Sequence, residues 1–475
     1  MPELLSWTKR EEFLALSNNC VEAISFANTG GDDFTALERQ VDALGDALKR
    51  RLMELRLSED PRARAGMEHF CPICGWKLRI QEHSQQRTLT TIFGGVVYSR
   101  AYGVCDRCGH NGAPLDISLG IPRRGPSVGV LARTCHAAAL NRSFKDAGEM
   151  LSVHSGIKFS GKHLRTLAER TGAELVRERD ADISLYKADK LGVKSGAAPE
   201  LLVVCADGGR VQTRQVEKKE RWKENKIGVV YDAEARPGVR AGPGDYEGAK
   251  SKTKTYVATM RPWEDAGWIL RLEAERRGYS AAKTKLFLAD GARNIRELKN
   301  MHFSDSTFII DWCHVAGHLS DCAKAIFGEG TREYYRWYER QKQKLWDGRV
   351  DSIIAGLRKH SRRLGKPDKD DNISGTSPRV VLYRNAYSYF PNNKDAMDYP
   401  SYRRKGWPIG SGVVESSVKQ LGLRLKGSEK FWNVSGTGAE EMLALCALYR
   451  CEDGRWDNYW RRRAQPEQNR ERFNA

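Results

Sequence analysis

No stretch of the sequence is apolar over the roughly 20 residues that a bilayer-spanning helix needs. The opening, MPELLSWTKREEF, lacks the apolar core of a secretory signal. There is no internal repeat, which excludes a solenoid or propeller. Acids are in short supply: 61 Asp and Glu against 79 Lys and Arg leave a net charge of +18 over 475 residues. The first two absences lead to the expectation of a reducing cytoplasm, where the 11 cysteines serve as thiols or metal ligands rather than disulfides. The charge imbalance fits a polyanionic partner, nucleic acid first, with a solvated basic surface as the alternative. The length implies roughly two to four domains.

What is present divides along the chain. Leu37, Val41, Leu44, Leu48, Leu52 and Leu55 recur at helical spacing between Phe34 and Leu57, an amphipathic helix that packs within this chain or against a second copy. Two CxxC pairs follow, Cys71 with Cys74 and Cys105 with Cys108, each trailed by a glycine, Gly75 or Gly109. Two such knuckles bring four thiolates into a closed tetrahedron, which predicts a structural Zn²⁺; four buried cysteines without a metal are the alternative. Between the pairs, RTLTTIFGGVVYSRAYGVC reads as a β-hairpin about Gly94-Gly95. SFKDAGEMLSVHSGIKFSGKHLRTLAER reads as two short helices separated by Gly156 and Ser160-Gly161, the spacing of a helix-turn-helix and equally of an ordinary helix pair. After the small-residue linker LGVKSGAAPE come strands ELLVVCADGG, RVQTR, KIGVVYDAE and TYVATM. Helix EDAGWILRLEAERRG, strand KLFLADGA, helix RNIRELKNM and strand TFIIDW complete the pattern of a mixed sheet flanked by helices. From about Val315 to Phe390 the chain is basic and helical, interrupted by the polar loop GKPDKDDNISGTSPR; the helix GAEEMLALCALYR and the basic tail WRRRAQPEQNRERFNA end it.

Three acids stand out by placement. Asp207 follows the apolar run LLVVCA and precedes Gly208-Gly209, and Asp290 follows KLFLA and precedes Gly291. Each alone reads as a turn residue; the same arrangement on two strands also sets two carboxylates side by side at one sheet edge. Glu415 opens a helix after the small run Pro408, Gly410, Ser411 and Gly412. Val414, Val418, Leu421 and Leu425 form that helix's buried stripe, and Glu415, Lys419, Gly422 and Lys426 the stripe about 100° around. The plain reading of Glu415 is an i,i+4 salt bridge worth roughly a few tenths of a kcal/mol. The functional reading is a metal ligand beside a ridge of phosphate contacts, with the small run letting the helix start lie close to the sheet. Converging carboxylates repel one another, and oxygen ligands favour Mg²⁺ or Mn²⁺ as the neutralising ion. Two such ions about 4 Å apart clamp both oxygens of a phosphodiester exchange. Trp222, Trp407, Phe431 and Trp432 sit in basic surroundings, suited to stacking on frayed bases or to core packing.

PIGSGVVESSVKQLGLRLKGSEKFW closely resembles the region around the last acid of ISKra-type bacterial insertion-sequence transposases. LADGARNI followed by FIIDWCHVAGHL resembles the segment around their second acid and the D-x-x-H after it, and the paired-CxxC hairpin is similar to theirs. The resemblance runs from about Phe70 to Trp460. It implies a DDE transposase: an α/β multidomain chain with a ribonuclease-H-like mixed sheet carrying a helical insertion, preceded by a helical N-terminus, a four-cysteine zinc ribbon and a helical DNA-binding segment. The expected segments are 1–66 (helical), 67–120 (zinc ribbon), 121–192 (helical, DNA-binding), 198–318 and 401–460 (catalytic core), 319–400 (helical insertion) and 461–475 (basic tail). Asp207, Asp290 and Glu415 are the implied triad and Mg²⁺ ligands, with Asp232 the alternative first acid. Asp311 and His314, the D-x-x-H, line the active site or form a structural hydrogen-bonded pair; a metal site with His318 and Cys322 on the same helical face is the remaining alternative. Lys419, Arg424, Lys426, Lys430 and Trp432 are the expected DNA contacts. Implied partners are double-stranded DNA, as terminal inverted repeats and target, and further copies of the chain, in the nucleoid of a prokaryotic cytoplasm. A DNA-binding regulator without catalysis and a metal-dependent nuclease without joining are the competing functions.

Overall fold

A computed structural model describes residues 7–26, 34–63, 67–71, 73–193, 198–215, 217, 220–237, 242, 246, 248–368, 377–410, 412–427 and 430–466. Ser411, part of the linker (194–197), the centre of the polar loop (369–376) and the tail beyond 466 lie outside the described residues. The chain divides into two compact units, one of residues up to Ala168 together with Gly454 onward, the other Glu169–Asp453.

In the first unit, α1 (Trp7–Phe26) packs beside α2 (Phe34–Glu59). The apolar stripe of α2 is buried unevenly: Leu55 and Leu57 are buried, Leu44 and Leu48 half-buried, and Phe34, Leu37, Val41 and Leu52 exposed. Leu57 joins Ala63, Leu89, Val96, Tyr98 and Leu115 in a small core. That core is floored by the hairpin β1 (Arg79–Thr91) and β2 (Gly94–Val104), in which Leu89 faces Val96 and Thr91 faces Gly94. The turn is therefore Ile92-Phe93, and Gly94 opens the second strand. The short strand β3 (Asn111–Gly112) extends the sheet. On α3 (Pro114–Ser118), the buried Asp116 accepts hydrogen bonds from Tyr98 Oη (2.6 Å), Arg87 Nη1 (2.7 Å) and Arg100 Nε (2.7 Å). A carboxylate out of water is tolerable only with such complete pairing. Helices α4 (Val128–Leu140) and α5 (Phe144–Ser155) begin at side-chain caps, Ser127 accepting from the Val130 N–H and Ser143 from the Asp146 N–H. Beyond the left-handed Gly156, α6 (Gly161–Lys187), most of which belongs to the second unit, runs for 27 residues, where the sequence suggested a short helix. Its interior glycine does not break it, because a Cβ on Gly172 would lie 2.2 Å from the Glu441 carbonyl oxygen; the site is closely packed rather than flexible.

The second unit is built on a mixed five-stranded sheet ordered β6-β5-β4-β7-β8. Its strands are β4 (Leu201–Gln212), β5 (Trp222–Glu234), β6 (Lys250–Thr259), β7 (Thr284–Ala289) and β8 (Thr307–Ile310). The first three are antiparallel, while β7 and β8 add parallel to β4. Residues Leu201–Ala206 are buried in one unbroken run, as a strand covered on both faces requires. Helix α7 (Trp263–Arg276) lies on β5 and β6, and Gly228 makes room for its Leu270, whose Cδ1 would come within 2.6 Å of a Cβ. Helices α8 (Arg293–His302) and α9 (Trp312–Phe327) follow β7 and β8 in turn. α9 then packs with α10 (Arg332–Trp346) and with a helix Pro378–Arg384 that continues through a π turn at Asn385–Tyr389; α11 (Val350–Leu364) packs on α10 and the π turn. After this helical stretch the chain returns: the Glu415 helix (Gly412–Leu425) packs on β4 and β5, and Ala439–Arg450 on β6. The molecule is thus a mixed α/β multidomain chain with a helical N-terminus.

Candidate functional site

Strand register sets the site. Cys205 of β4 is opposite Leu288 of β7, and Ala289 of β7 is opposite Ile310 of β8. Two residues past Cys205 comes Asp207, level with Asp290 two past Leu288; Asp311, one past Ile310, is level with Asp290 in turn. Adjacent strands stand about 4.8 Å apart, so three acids occupy neighbouring places in one row. The ladder carries on into this row, since the Asp311 N–H donates to the Ala289 carbonyl at 2.8 Å.

Asp207 does not end its strand, contrary to the sequence reading. β4 continues to Gln212 because β5 stays paired with it, from Gly208 opposite Lys226 to Gln212 opposite Trp222; only the parallel partner stops. Gly208 and Gly209 are strand residues whose missing side chains leave space for neighbours: a Cβ would lie 2.7 Å from Glu224 Oε1 and 2.6 Å from Asn225 Oδ1, respectively. Asp290 does close β7. Gly291 takes a φ of +81° beside it, and Asp290 Oδ1 accepts from the Ala292 N–H at 2.8 Å.

Glu415 arrives from the far side of the helical stretch. The Trp312 N–H donates to the Ile409 carbonyl at 2.8 Å, which ties the run before the Glu415 helix to the end of β8. That bond, not the size of the residues, brings the run close. A Cβ on Gly410 would meet only Asp311 Oδ2, at an ordinary 3.9 Å, and one on Gly412 would meet nothing within 4 Å. Glu415 Oε1 stands 3.8 Å from His314 Nε2. Asp311, fully buried, caps α9 by accepting from the His314 N–H at 2.7 Å. One ligand atom each from Asp311, His314 and Glu415 lies within 4.8 Å of the others. Burial pushes the Asp207 carboxyl up to about 6; the Gly208 N–H works against it, the charges of Asp290 and Glu415 add to it, and His314 partly offsets them. Glu415 and His314 thus act on the Asp207 charge, while Asp207 and Asp290 lie outside the group of Asp311, His314 and Glu415. Asp232, the alternative first acid, is opposite Leu202 at the other end of β4 and pairs with Arg277 at 2.6 Å.

Several sequence-based assignments fall differently. His318 Nδ1 is 2.9 Å from Asn385 Oδ1, its ring stacks on Tyr389 with centroids 3.6 Å apart, and Cys322 is buried. Both are engaged in packing, and neither joins the metal-competent group. On the Glu415 helix, Ser417 rather than Val418 completes the buried stripe with Val414, Leu421 and Leu425. Arg424 (4% exposed) and Trp432 (5%) are in the interior instead of facing DNA. Residues after the helix run beside β4: the Trp432 N–H donates to the Gln212 carbonyl, the Arg214 N–H to the Trp432 carbonyl, and the Trp432 indole to the Leu425 carbonyl at 2.9 Å. Lys430 Nζ donates to the Leu423 and Arg424 carbonyls at 3.0 and 3.3 Å, a cap on the helix's C-terminus. Lys419 is exposed, Lys426 half-buried, and Trp222 and Phe431 are exposed. Tyr389, whose hydroxyl donates to the Asp290 carbonyl at 3.3 Å, went unnoticed in the sequence. It lies in the π turn, which has no compositional signature.

A separate cluster lies in the first unit. Cys71 Sγ is 3.5 Å from Cys108 Sγ, and Cys74 Sγ 3.4 Å from Cys105 Sγ, with all four sulfurs within 4.8 Å of one another. Thiolates at the roughly 2.3 Å Zn–S distance stand about 3.8 Å apart in a tetrahedron, so the set is compatible with structural zinc. The two knuckles are built alike. Gly75 donates to the Cys71 carbonyl and Gly109 to the Cys105 carbonyl, at φ of +71° and +73°. Each first cysteine is in turn tied by its N–H to the carbonyl five residues on, Trp76 or His110.

Fold and clusters together define a mixed α/β protein with a four-thiol knuckle pair and an acid–imidazole group at the edge of its main sheet. The chain belongs to an uncharacterised protein family, UPF0236, whose model matches residues 76–373. That span holds Cys105, Cys108, Asp207, Asp290, Asp311 and His314, and it ends before Glu415. No curated protein matches the chain. Among the described residues, no helix is long and apolar enough to cross a membrane.

Proposed function

We propose that the chain is a DDE transposase of the ISKra type, cutting and joining DNA at insertion-sequence ends. The observation that carries this reading is the parallel register, with Cys205 opposite Leu288, from which Asp207 and Asp290 each follow two residues on, with Glu415 near enough to act on the Asp207 charge. The sheet, three antiparallel strands followed by two parallel ones, supports a ribonuclease-H-like assignment. The helices between β8 and the Glu415 helix suit the implied insertion. Oxygen donors and a repulsion at Asp207 that Gly208 and His314 only partly offset fit Mg²⁺ or Mn²⁺. Asp207, Asp290 and Glu415 would hold the ion, which when bound makes a water nucleophilic and offsets charge on the phosphodiester. Lys419, exposed one turn beyond Glu415, suits contact with a DNA phosphate, and the +18 net charge suits a double-stranded DNA partner. Synapsis of two ends would bring two or more copies together.

The test is end cleavage and strand transfer with Mg²⁺ on DNA carrying the element's own ends. Wild type is expected to perform both steps, and Glu415→Gln to lose each by about 100-fold or more. Unchanged activity in that variant would overturn the triad. Cleavage without joining would indicate a nuclease, and sequence-specific binding without cleavage under any metal a regulator.

A further inference from the structure

We infer that Asp311, His314 and Glu415 form a nitrogen-containing metal half-site, distinct in ligands from the all-oxygen pair Asp207 and Asp290. The inference rests on the reading of this site as a metal centre, and not on the DNA chemistry assigned to it. Three observations carry it. Ligand atoms of the three residues lie within 4.8 Å of one another. His314 Nε2 and Glu415 Oε1, at 3.8 Å, are beyond hydrogen-bond range, yet close to the separations that two ligands take on one ion. At a bond length near 2.1 Å, octahedral ligands stand about 3 Å apart when adjacent and about 4.2 Å when opposed. Finally, Asp311 is fully buried at the N-terminus of α9, and its Oδ1 accepts from the His314 N–H; one short turn thereby fixes the two ligands that the D-x-x-H spacing supplies.

The donor set predicts which ion this half-site takes. Imidazole binds Mg²⁺ poorly and binds Mn²⁺ and the later divalent metals well, whereas a carboxylate serves either. One nitrogen and two carboxylates therefore select Mn²⁺ or a similar borderline ion over Mg²⁺, while the Asp207–Asp290 half shows no such preference.

The test is a titration of the full-length chain, zinc retained on its four cysteines, with Mn²⁺ as probe and free Mn²⁺ read by its paramagnetic resonance. Wild type is expected to hold Mn²⁺ against a tenfold molar excess of Mg²⁺. His314→Ala is expected to lose one equivalent or to bind about tenfold or more weakly, and to lose the preference for Mn²⁺. The His314 side chain is 41% exposed, so its removal leaves the fold intact, which thermal unfolding without added Mn²⁺ or Mg²⁺, zinc retained, verifies. Equal stoichiometry, affinity and Mg²⁺ competition in wild type and His314→Ala would overturn the proposal, as would wild type that binds no Mn²⁺. Loss of Mn²⁺ binding only in Asp290→Asn would also overturn it and leave the triad standing. Mn²⁺ binding that depends on His314, in a protein that cuts no DNA, would uphold the half-site and remove the transposase.

Discussion

Asp207 illustrates how the place of one side chain costs stability. Its carboxyl is half-buried, and that burial, with the charges of Asp290 and Glu415, holds it up at about 6. Ionisation there opposes folding until a cation is supplied. Asp207→Asn removes the charge and keeps the shape. Without added divalent metal, zinc retained, the variant is expected to be more stable than wild type by about 1–2 kcal/mol in urea unfolding at pH 7.5, while losing metal-dependent cleavage. A variant equal to or less stable than wild type would mean that burial and the neighbouring acids do not penalise the Asp207 charge. At this scale the sequence was most informative where chemistry is local. Cys71, Cys74, Cys105 and Cys108 announce their cluster because a knuckle needs only a few consecutive residues. Asp207 and Asp290 could be named as acids after apolar runs, but their being level depends on a parallel register written nowhere in either segment. Trp432 and Arg424 were misplaced because an aromatic or an arginine beside lysines looks the same in a core or on a surface.

Among the elements, the seam of α7 and α8 carries a pH-sensitive contact. His302, at the end of α8, meets Trp268 of α7 edge-on with centroids 4.7 Å apart. Gly267 accommodates it, since a Cβ there would lie 2.5 Å from the ring. Burial, then the charges of Arg271 on α7 and Lys187 on α6, drive the His302 pKa down to about 4. Unfolding frees the ring to take up a proton near its usual value of about 6.5, so the unfolded state binds more protons between those values. His302 thus contributes fully above about pH 6.5, and that contribution is lost as pH falls toward 4. Urea midpoints are expected to fall between pH 7 and pH 5, and His302→Leu to flatten that slope; an unchanged slope would refute the assignment. Element identities were mostly legible from periodicity, which depends on burial of one face or two. Element lengths were less so. β4 runs past its glycines because β5 keeps pairing with it, and α6 runs on past Gly172 because that position is packed against backbone.

For the whole molecule, the two units allow a test of where metal supports folding. The four-thiol cluster lies in a unit whose local core is small, Cys71, Leu78 and Cys105 with Cys74 against them. Structural zinc supplies on the order of 10 kcal/mol that such a module cannot draw from apolar burial. Stripping it with a strong chelator is expected to expose the amides of β1 and β2 to hydrogen exchange and to leave β4 and β7 protected. Retained protection of the hairpin would mean that the fold there stands without metal. The net charge of +18 is likewise a property of the whole chain, legible at once from composition, though composition does not say which face carries it.

By itself the sequence determined what depends on neighbours along the chain: the knuckles, the hairpin, the amphipathic stripes, the alternation of strands and helices, and the residue types able to bind a cation. Only the tertiary structure decided which acids meet. Asp207, Asp290, Asp311 and Glu415 are separated by as many as 208 positions; a parallel strand register puts the first three on or just past neighbouring strands, and a hydrogen bond from Trp312 to Ile409 ties the segment before Glu415 to the end of β8, where Glu415 comes near Asp311 and His314. Both are contacts between distant segments, whose pairing is set by the burial of the whole sheet and not by any local preference.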